Sequence, residues 1–406
     1  MPGWTDTLEI PAFADMHVHV RQPGEQMTCI VPWTACCCSH ALCMPNTNPP
    51  LLTAEDTENY RAAWGDAIED AISSGRIPNG DYSCKPIVSI KWVAATKADN
   101  IKEAASRGVS VVKLYPAGLT THSDDGLPAE MLIYSEKHID AILQTMDQNN
   151  MVLCIHGELP HHDPLRREQA FIRSHFINRV LSRTRRLRIV MEHVTTAEAV
   201  EYVTELWNEH NRRCAATITA HHLAMTLHDV IGDALQPHNY CKPIAKQRPD
   251  MYALRRAAVT HPAFFLGSDS APHTLTSKET ACCAAGCFTS PCLPGFLAQT
   301  FEQESPGDVR PLIDFTSTRG LAFYGLPPSD KRITLSRTPW VIPYEVWKGY
   351  SEVVYVMWRA RCWRGGHTTT WRLHHPLHDL HDPEASTSVG GIRRKDLEDA
   401  IKLVSR

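Results

Sequence analysis

Short apolar segments alternate with longer amphipathic segments from the N-terminus to about Gly325. Short apolar runs bounded by turn residues are typical of buried parallel strands, and the amphipathic segments between them are typical of connecting helices. The predicted strands are Ala12–Val20, Ser39–Met44, Pro86–Ala94, Val109–Tyr115, Met151–His156, Arg188–His193, Cys214–Thr219 and Ala263–Ser268. Eight strands separated by helices predict an α/β fold, a closed (β/α)8 TIM barrel.

Three intervening segments have clear helix signals. Thr53–Ile72 and Ala129–Gln148 place apolar residues at helical spacing, and the second of these ends at two asparagines. The sequence Thr-Thr-Ala-Glu at 195–198 predicts a capping box, in which a threonine hydroxyl and the carboxylate of Glu198 satisfy free N–H groups at the start of a helix.

The pattern changes after Pro327, where Pro- and Trp-rich segments lead into a stretch in which histidines interrupt any periodicity. We therefore predict a barrel domain over residues 1–326 and a C-terminal extension over 327–406 that packs on the barrel. The histidines of the extension could bind a metal, but a solvated His-rich tail is the simpler interpretation. These residues are His367, His374, His375, His378 and His381.

Composition narrows the choice of partners. The 406 residues are 43% hydrophobic and 21% charged, with a formal net charge of -4. This balance gives no basic surface for nucleic acid or an anionic membrane, and it favours a small-molecule substrate. Neither a signal peptide nor a run of roughly 20 apolar residues is visible, which predicts a cytoplasmic protein. The 14 cysteines are then expected to be reduced, and most of them to be small buried apolar groups.

The first candidate chemistry lies in Asp15-Met16-His17-Val18-His19, within the first predicted strand. Side chains alternate between the two faces of a strand, so His17 and His19 lie on the same face. Two imidazoles at the carboxyl-terminal end of a barrel strand make a pair of metal ligands. The alternative is two histidines of a half-buried strand, and an isolated His-x-His would favour that alternative.

The pair is not isolated, because four more potential ligands stand at or just beyond the ends of later predicted strands. They are Lys113, His156, His193 and Asp269. Barrel enzymes build their active sites from the carboxyl-terminal ends of several strands, and a buried lysine without a function is costly. The combination therefore predicts a metal site.

The motifs around these residues resemble those of the type II dihydroorotases of the amidohydrolase superfamily. The quoted motifs are His-x-His, Lys-Leu-Tyr-Pro-Ala, Ile-His-Gly-Glu, Glu-His-Val-Thr-Thr, Ala-Thr-Ile-Thr and Gly-Ser-Asp-Ser-Ala-Pro-His, and they follow one another from about residue 11 to residue 325. The resemblance implies the reversible cyclisation of N-carbamoyl-L-aspartate to L-dihydroorotate, the third step of pyrimidine biosynthesis. It also implies two zinc ions bridged by a carboxylated Lys113.

By the same resemblance, one zinc ion would be held by His17, His19, Lys113 and Asp269, and the other by His156, His193 and the shared Lys113. Asp269 would in addition be the catalytic acid and base. The substrate-binding residues implied are Arg21, Asn46 and His273 for the carboxylate, Leu223 and Ala285 through their main chains, and Thr120 and Thr121 in a loop that closes over the substrate. On residue type alone, Arg21 could be a solvated charge, and the threonine pair could serve only the turn.

Several alternatives stay open. Another cyclic amidohydrolase, such as a dihydropyrimidinase, hydantoinase or allantoinase, would share the metal ligands, and a catalytically silent scaffold would share the fold. Cys282, Cys287 and Cys292 could suggest a structural zinc site, but their spacing of five is wider than in ordinary zinc motifs. The resemblance further leads us to expect a homodimer, no N-terminal β-sandwich, and a eukaryotic, fungal type of sequence with a poorly matching segment at 345–390.

Overall fold

The protein is described from a computed structural model, which covers residues 3–120, 122–133, 137–343, 354, 356 and 368–380. Within these residues, no helix combines the length and the apolar composition that crossing a membrane requires. Of the predicted C-terminal extension, the described ranges include only a part.

The strands of the described residues are labelled in chain order. They are β1 (Thr7–Pro11), β2 (Phe13–Val18), β3 (Cys38–Cys43), β4 (Lys85–Val88), β5 (Ile90–Trp92), β6 (Val111–Leu114), β7 (Val152–His156), β8 (Arg188–Glu192), β9 (Cys214–Ile218), β10 (Phe264–Leu266), β11 (Arg332–Ser336), β12 (Trp340–Val341), β13 (Thr368–Thr369) and β14 (Arg372–Leu373).

The helices are labelled in the same way. They are α1 (Glu25–Ala35), α2 (Ala54–Ser73), α3 (Ala98–Ser106), α4 (Ala129–Ile133), α5 (Lys137–Gln148), α6 (Arg167–Arg173), α7 (Phe176–Arg183), α8 (Ala197–Glu209), α9 (His228–Ile231), α10 (Arg248–Thr260), α11 (Leu275–Lys278), α12 (Leu293–Glu304), α13 (Arg310–Ile313), α14 (Arg319–Tyr324) and α15 (Pro376–Leu380). A 3-10 turn at Pro237–Asn239 and a π-helical turn at Asp314–Thr318 complete the set.

The barrel consists of parallel strands in chain order. One run pairs β2, β3 and β4, and the other pairs β5 through β10. Strands β4 and β5 are two halves of one barrel strand, separated by Ser89. The ends of the barrel sheet meet where Asp269 N donates to His17 O at 2.8 Å and His19 N donates to Ser270 O at 3.0 Å. The predicted (β/α)8 fold is confirmed, and each of the eight predicted strands is present within two residues at either end.

Burial explains why the strand segments carry so few polar residues. Every residue of β2, β3, β7 and β9 is buried, as expected for strands covered by helices on the outside and by packed side chains on the inside. The polar residues that do occur in these strands, such as His17 and His156, therefore require partners inside the protein.

The N-terminal strand joins the extension. Strand β1 pairs antiparallel with β11, which pairs in turn with β14, so residues from the two ends of the chain share a three-stranded sheet. Ile333 and Leu335 of β11 are buried there. The described part of the extension is thus joined to the N-terminal strand, and the packing of the extension on the barrel stays a prediction. The domain boundary at 326 stays a prediction.

Two expectations about local structure are wrong. The helix after β8 begins with Thr196 as its N-cap, whose hydroxyl accepts a hydrogen bond from Ala199 N, so Glu198 does not occupy the position that a capping box needs. The hydroxyls of Thr195 and Thr196 instead donate to Glu168, a buried carboxylate of α6. By contrast, Thr53 and Asp56 do form a capping box at the start of α2.

The interpretation of the C-terminal histidines as solvated is also wrong for two of them. His378 is 1% exposed and packs its ring against Trp33 and Trp340, while His375 is buried beside Tyr82. His374 is exposed, and His367 and His381 lie outside the described residues. Aromatic packing, which periodicity in a histidine-rich segment does not reveal, accounts for the difference.

Candidate active site

Three of the predicted metal ligands form a compact group where β2 meets the end of β10. His17 and His19 lie on the same face, with ring centroids 5.3 Å apart. Oδ1 of Asp269 lies 3.4 Å from Nε2 of His17 and 3.0 Å from Nε2 of His19. The candidate ligand atoms of all three residues lie within 4.8 Å of one another, close enough to share one cation.

The group is buried, and its charges are coupled. Burial alone would lower the pKa of His17, but Glu192 and Asp269 outweigh burial and raise that pKa to about 9. Burial would raise the pKa of Asp269, yet His17 and His19 hold it well below its usual value. Burial lowers the pKa of His19 to about 4, so at neutral pH the anionic Asp269 faces a protonated His17 and a neutral His19. A metal ion bound by the three residues would take the place of the His17 proton.

His156 and His193 form a second pair beside the first group. Nδ1 of His156 lies 3.1 Å from Nε2 of His193, and the ring of His193 lies 5.2 Å from that of His17. Burial lowers the pKa of both His156 and His193. Both imidazoles are therefore neutral near pH 7, the form in which histidine binds metals.

Lys113 is the most unusual side chain of the site. It lies on β6, is 0% exposed, and receives no hydrogen-bond partner for Nζ from any residue that the structure describes. Its nearest aromatic neighbour is Tyr115, whose ring centroid is 5.0 Å from Nζ. Burial lowers the pKa of Lys113, which favours the neutral amine.

Carboxylates behind the histidines fix the orientation of two rings. Oε2 of Glu192 lies 2.8 Å from Nδ1 of His17 and accepts a hydrogen bond from the hydroxyl of Thr217. Oε2 of Glu158 lies 2.8 Å from Nε2 of His156. Each carboxylate leaves the other ring nitrogen directed at the cluster, an arrangement that metal-binding histidines commonly have.

Unusual backbone conformations direct two of the predicted ligands towards the site. His193 and Asp269 have positive φ angles of 43° and 45°, which are uncommon for residues other than glycine. Asp15 supports the second of these turns, because its carboxylate accepts hydrogen bonds from both the amide and the hydroxyl of Ser268. The strand ends are thus held in conformations that present His193 and Asp269 to the interior.

A cavity of about 40 Å³ lies over the cluster, and a wider cleft of about 380 Å³ lies next to it. Four residues line both: His19, Arg21, Asn46 and His273. The smaller cavity is also lined by His17, Tyr115, Thr120, His156, His193, Lys242, Asp269, Ala271, Ala285 and Gly286. Lys113 is not on this wall, but the ring of Tyr115 beside it is.

The three residues predicted to bind a carboxylate converge on this cavity. Nε of Arg21 donates to Pro272 O at 2.6 Å, while Nη2 is buried and has no hydrogen-bond partner among the described residues. His273 Nε2 lies 2.9 Å from Ala285 O, and the carbonyl of Asn46 faces Nδ1 of His122 at 3.2 Å. Arg21 is thus oriented by one nitrogen and has another available for an anion.

Of the other four residues predicted to contact the substrate, two line the cavity. Thr120 and Ala285 line the cavity, and the buried hydroxyl of Thr120 has no partner among the described residues. Leu223 does not line either cavity, and its main-chain groups already bond to Thr219 O and to the guanidinium of Arg255. Thr121 lies outside the described residues.

Sequence reasoning missed Glu158, Glu192 and Tyr115, although all three stand within the quoted motifs. Glu192 precedes His193 directly, so simple strand alternation would put the two on opposite faces. The positive φ of His193 breaks that alternation. A carboxylate one or two residues from a predicted ligand histidine was the signal available.

The donor set fits a pair of divalent cations. Four imidazoles and one carboxylate are nitrogen and oxygen donors of the kind that Zn²⁺ takes. The lone Nζ of Lys113 and the unpartnered Nδ1 of His193, both fully buried, are polar atoms that the described protein residues leave unsatisfied. Such atoms are costly unless a group from outside the chain binds to them or modifies them.

Comparison with known proteins places these residues in context. No protein-family model matches the chain. A curated protein from Halorhodospira halophila named "Dihydroorotase" is 39% identical over 375 residues, which are 91% of this chain and 100% of the relative. Further curated relatives of the same name, 34–39% identical, are also bacterial, so the expectation of a eukaryotic, fungal type of sequence is not supported.

Solved structures also include a dihydroorotase that is similar to this chain. The crystal structure of a Saccharomyces cerevisiae dihydroorotase in complex with 5-fluoroorotic acid superposes with a TM-score of 0.79 at 28% identity, covering 91% of this chain and 99% of the yeast chain. An L-hydantoinase from Arthrobacter aurescens has a TM-score of 0.68 at 13% identity, covering 91% and 84% of the two chains. The hydantoinase likeness is evidence for the fold alone.

Proposed function

The chain belongs to the dihydroorotase family of the amidohydrolase superfamily and is a hydrolase of cyclic amides. We propose that its catalytic centre is the cluster at the carboxyl-terminal ends of the barrel strands. The observation that carries this proposal is the convergence of five predicted ligands on one cavity, beside a buried lysine without a hydrogen-bond partner among the described residues. The reaction is the reversible cyclisation of N-carbamoyl-L-aspartate to L-dihydroorotate.

We assign the metal ligands as the sequence predicted them. His17, His19 and Asp269 would hold one Zn²⁺, and His156 and His193 would hold a second. The 3.0 and 3.4 Å distances within the first group and the 3.1 Å distance within the second support two adjacent ions. When bound, such ions acidify a water molecule and polarise a carbonyl oxygen.

Lys113 would bridge the two ligand groups after carboxylation. An amine reacts with CO2 only in its neutral form, and burial lowers the pKa of Lys113 in that direction. Carboxylation forms a bond between Nζ and the carbon of CO2 and releases one proton, so the neutral amine would become a carbamate anion whose two oxygen donors the ligand groups can share. This proposal accounts for an Nζ that no described residue satisfies.

Asp269 would move the proton of the reaction. In ring opening, water adds to the ring amide carbonyl carbon, the carbon–nitrogen bond breaks, and Asp269 carries a proton from the water to the departing nitrogen. Its carboxylate is anionic near pH 7 because His17 and His19 lower its pKa, so it is able to accept that proton. Ring closure is the same path in reverse.

Substrate orientation would depend on the carboxylate of dihydroorotate. Arg21, Asn46 and His273 line both cavities, and the free Nη2 of Arg21 offers a charge-assisted hydrogen bond. Thr120 and Ala285, which line the smaller cavity, would contact the ring. The contacts expected of Thr121 and of the main chain of Leu223 stay predictions, because Thr121 lies outside the described residues and Leu223 lines neither cavity. Substrates without a ring carboxylate have no group for the three polar residues.

A comparison of ring-opening rates tests the assignment. The protein should hydrolyse dihydroorotate faster than dihydrouracil or hydantoin, as measured by the loss of ring absorbance. A chelator should abolish the activity, and zinc with bicarbonate should restore it. Faster turnover of dihydrouracil or hydantoin would refute the substrate, and activity that persists after complete removal of metal would refute the metal centre.

We further propose a cytoplasmic homodimer. The thirteen cysteines that the structure describes form no disulfide bonds with one another, in keeping with a reducing compartment. The dimer rests on the family resemblance, and light scattering after size-exclusion chromatography tests it, with a monomeric mass as the contrary result.

A further inference from the structure

A second cluster of potential metal ligands contains none of the six residues assigned above, although it lies near Asp269. It consists of His221, just after β9, Cys241, just after the 3-10 turn, and Cys287, in the long loop after β10. None of the three is more than 1% exposed, and their candidate ligand atoms lie within 4.8 Å of one another. Twenty and forty-six residues separate them along the chain, so no local motif brings them together.

The buried imidazole of His221 gives independent support for a bound ligand at this cluster. It is 0% exposed, and neither of its ring nitrogens has a hydrogen-bond partner among the described residues. Its neighbour His222 contrasts with it, because Nδ1 of His222 faces the hydroxyl of Thr219 at 2.9 Å and Nε2 faces Pro243 O at 3.0 Å. A buried imidazole with two unsatisfied nitrogens is costly, and a ligand at one nitrogen would relieve part of the cost.

The main chain holds the two cysteines together. Gly286 N donates to Tyr240 O at 2.9 Å, which joins the residues that directly precede Cys287 and Cys241. The ammonium of Lys278 donates to the same two residues, to Tyr240 O at 3.0 Å and to Gly286 O at 2.9 Å. These bonds fix the main chain before both cysteines, and the nearby ammonium would offset part of the negative charge of two thiolates. The thiol of Cys241 itself donates to Pro243 O at 3.3 Å and lies 3.6 Å from Nε2 of His222, contacts that a bound ion would replace.

We propose that His221, Cys241 and Cys287 form a third cation site, which takes one soft ion such as Zn²⁺ in a structural role. Two thiolates and an imidazole are soft donors that select Zn²⁺ or Cu⁺ over Mg²⁺ or Ca²⁺. Binding releases the thiol protons, so occupancy falls with falling pH. The proposal does not depend on the assignment of the catalytic metals.

The site explains how one wall of the substrate cavity is held. Ala285 and Gly286 line that cavity, and Cys287 follows them directly. Ala271 N donates to Cys287 O at 2.8 Å, which links the same segment to the strand end that carries Asp269. An ion on Cys287 would therefore fix the loop that faces the substrate. Cys282, five residues earlier in this loop, is exposed and takes no part.

Cobalt substitution provides a direct test. The full-length protein is reduced, stripped of metal, and loaded with Co²⁺. Thiolate ligands give an intense sulfur-to-cobalt charge-transfer band, and none of the six residues assigned to the catalytic centre contains sulfur. We expect the band in the wild-type protein and in Cys282→Ser, its loss in Cys241→Ser and Cys287→Ser, and one zinc ion fewer per chain in those two variants by elemental analysis.

The test does not depend on the serine variants alone, because a further variant and the wild-type protein are measured as well. The His221→Gln variant retains both thiols and should bind the third ion at least about 10-fold more weakly. Cobalt-loaded wild-type protein without a charge-transfer band would overturn the proposal by itself. So would a Cys241–Cys287 disulfide-linked peptide in native protein, which would assign the pair to redox chemistry, or a zinc content that Cys241→Ser leaves unchanged.

Discussion

The predicted metal ligands and the predicted substrate contacts share one cavity, but the protein holds them differently. The ligands stand at the ends of paired barrel strands, and carboxylates such as Glu192 and Glu158 bond to their rings from behind. The substrate contacts stand on loops, where Arg21 is held through Pro272 O and His273 through Ala285 O. In the proposed assignment, the strand ends therefore hold the groups that act on the reacting atoms, and the loops hold the groups that bind the rest of the substrate.

The comparison predicts different kinetic effects for the two sets. Substitutions at the strand ends should reduce kcat or the affinity for metal, because they alter groups that act on the reacting atoms. Substitutions on the loops should mainly raise KM, because they alter contacts with a part of the substrate that does not react. Four variants examine this division.

Asp269→Asn should have the largest effect. The amide cannot accept and return the proton and is a poorer metal ligand, so kcat for dihydroorotate should fall by about 10² to 10⁴-fold. Initial rates at saturating substrate measure the effect. Asp99→Asn, on the exposed side of α3, serves as a matched control that should retain wild-type activity. A kcat within a few-fold of the wild-type value would remove Asp269 from the mechanism.

Glu192→Gln should weaken metal binding without removing a ligand. The 2.8 Å contact with Nδ1 of His17 fixes the ring and its tautomer, and loss of such a partner costs about 10- to 100-fold in metal affinity. Competition with a chromogenic chelator measures that affinity. Glu201→Gln, an exposed residue of α8, is the control. Equal affinities in the two variants would mean that Glu192 serves packing alone.

Arg21→Ala should raise KM for dihydroorotate by about 10- to 100-fold, with a smaller change in kcat, because a charge-assisted hydrogen bond to the substrate carboxylate is lost. Gln22→Ala is a suitable control, since Gln22 lines the wider cleft next to Arg21. Saturation kinetics separate the two parameters. A fall in kcat at unchanged KM would place Arg21 with the catalytic groups and break the division between strands and loops.

Thr120→Ala should have the smallest effect, a decrease of about 5-fold in kcat/KM, which corresponds to one neutral hydrogen bond. Its buried hydroxyl has no partner among the described residues and lines the cavity, so a substrate could supply that partner. Thr5→Ala, an exposed residue near the N-terminus, should leave kcat/KM unchanged. An unchanged kcat/KM in Thr120→Ala as well would assign the threonine to the turn.

The sequence predicted the barrel strands, and the places of the candidate ligands relative to those strands, because both follow from local pattern. Apolar runs mark buried strands, and His17, Lys113 and His156 stand on or at the end of such runs. It did not predict Glu192 as a partner of His17, because the positive φ of the next residue overrides strand alternation. It disfavoured a zinc site on Cys282, Cys287 and Cys292 because of their spacing, and it gave no signal that the fold brings Cys287 to Cys241 and His221.

The C-terminal extension was predicted least well, for a similar reason. The partner of β11, β1, lies at the other end of the chain, so their pairing leaves no local signal. The buried rings of His375 and His378 depend on aromatic residues far away in sequence. Long-range contacts of this kind leave little trace in periodicity.

The metal content of the protein tests the central claim most directly. Elemental analysis should be made on the Cys241→Ser protein, purified without chelators and with bicarbonate, so that the proposed sulfur site does not contribute. Two zinc ions per chain are predicted, with at least one lost when Lys113→Ala is added to the same background. A content of one ion or fewer before that substitution, or a content that Lys113→Ala leaves unchanged, would contradict a pair of ions bridged by this lysine.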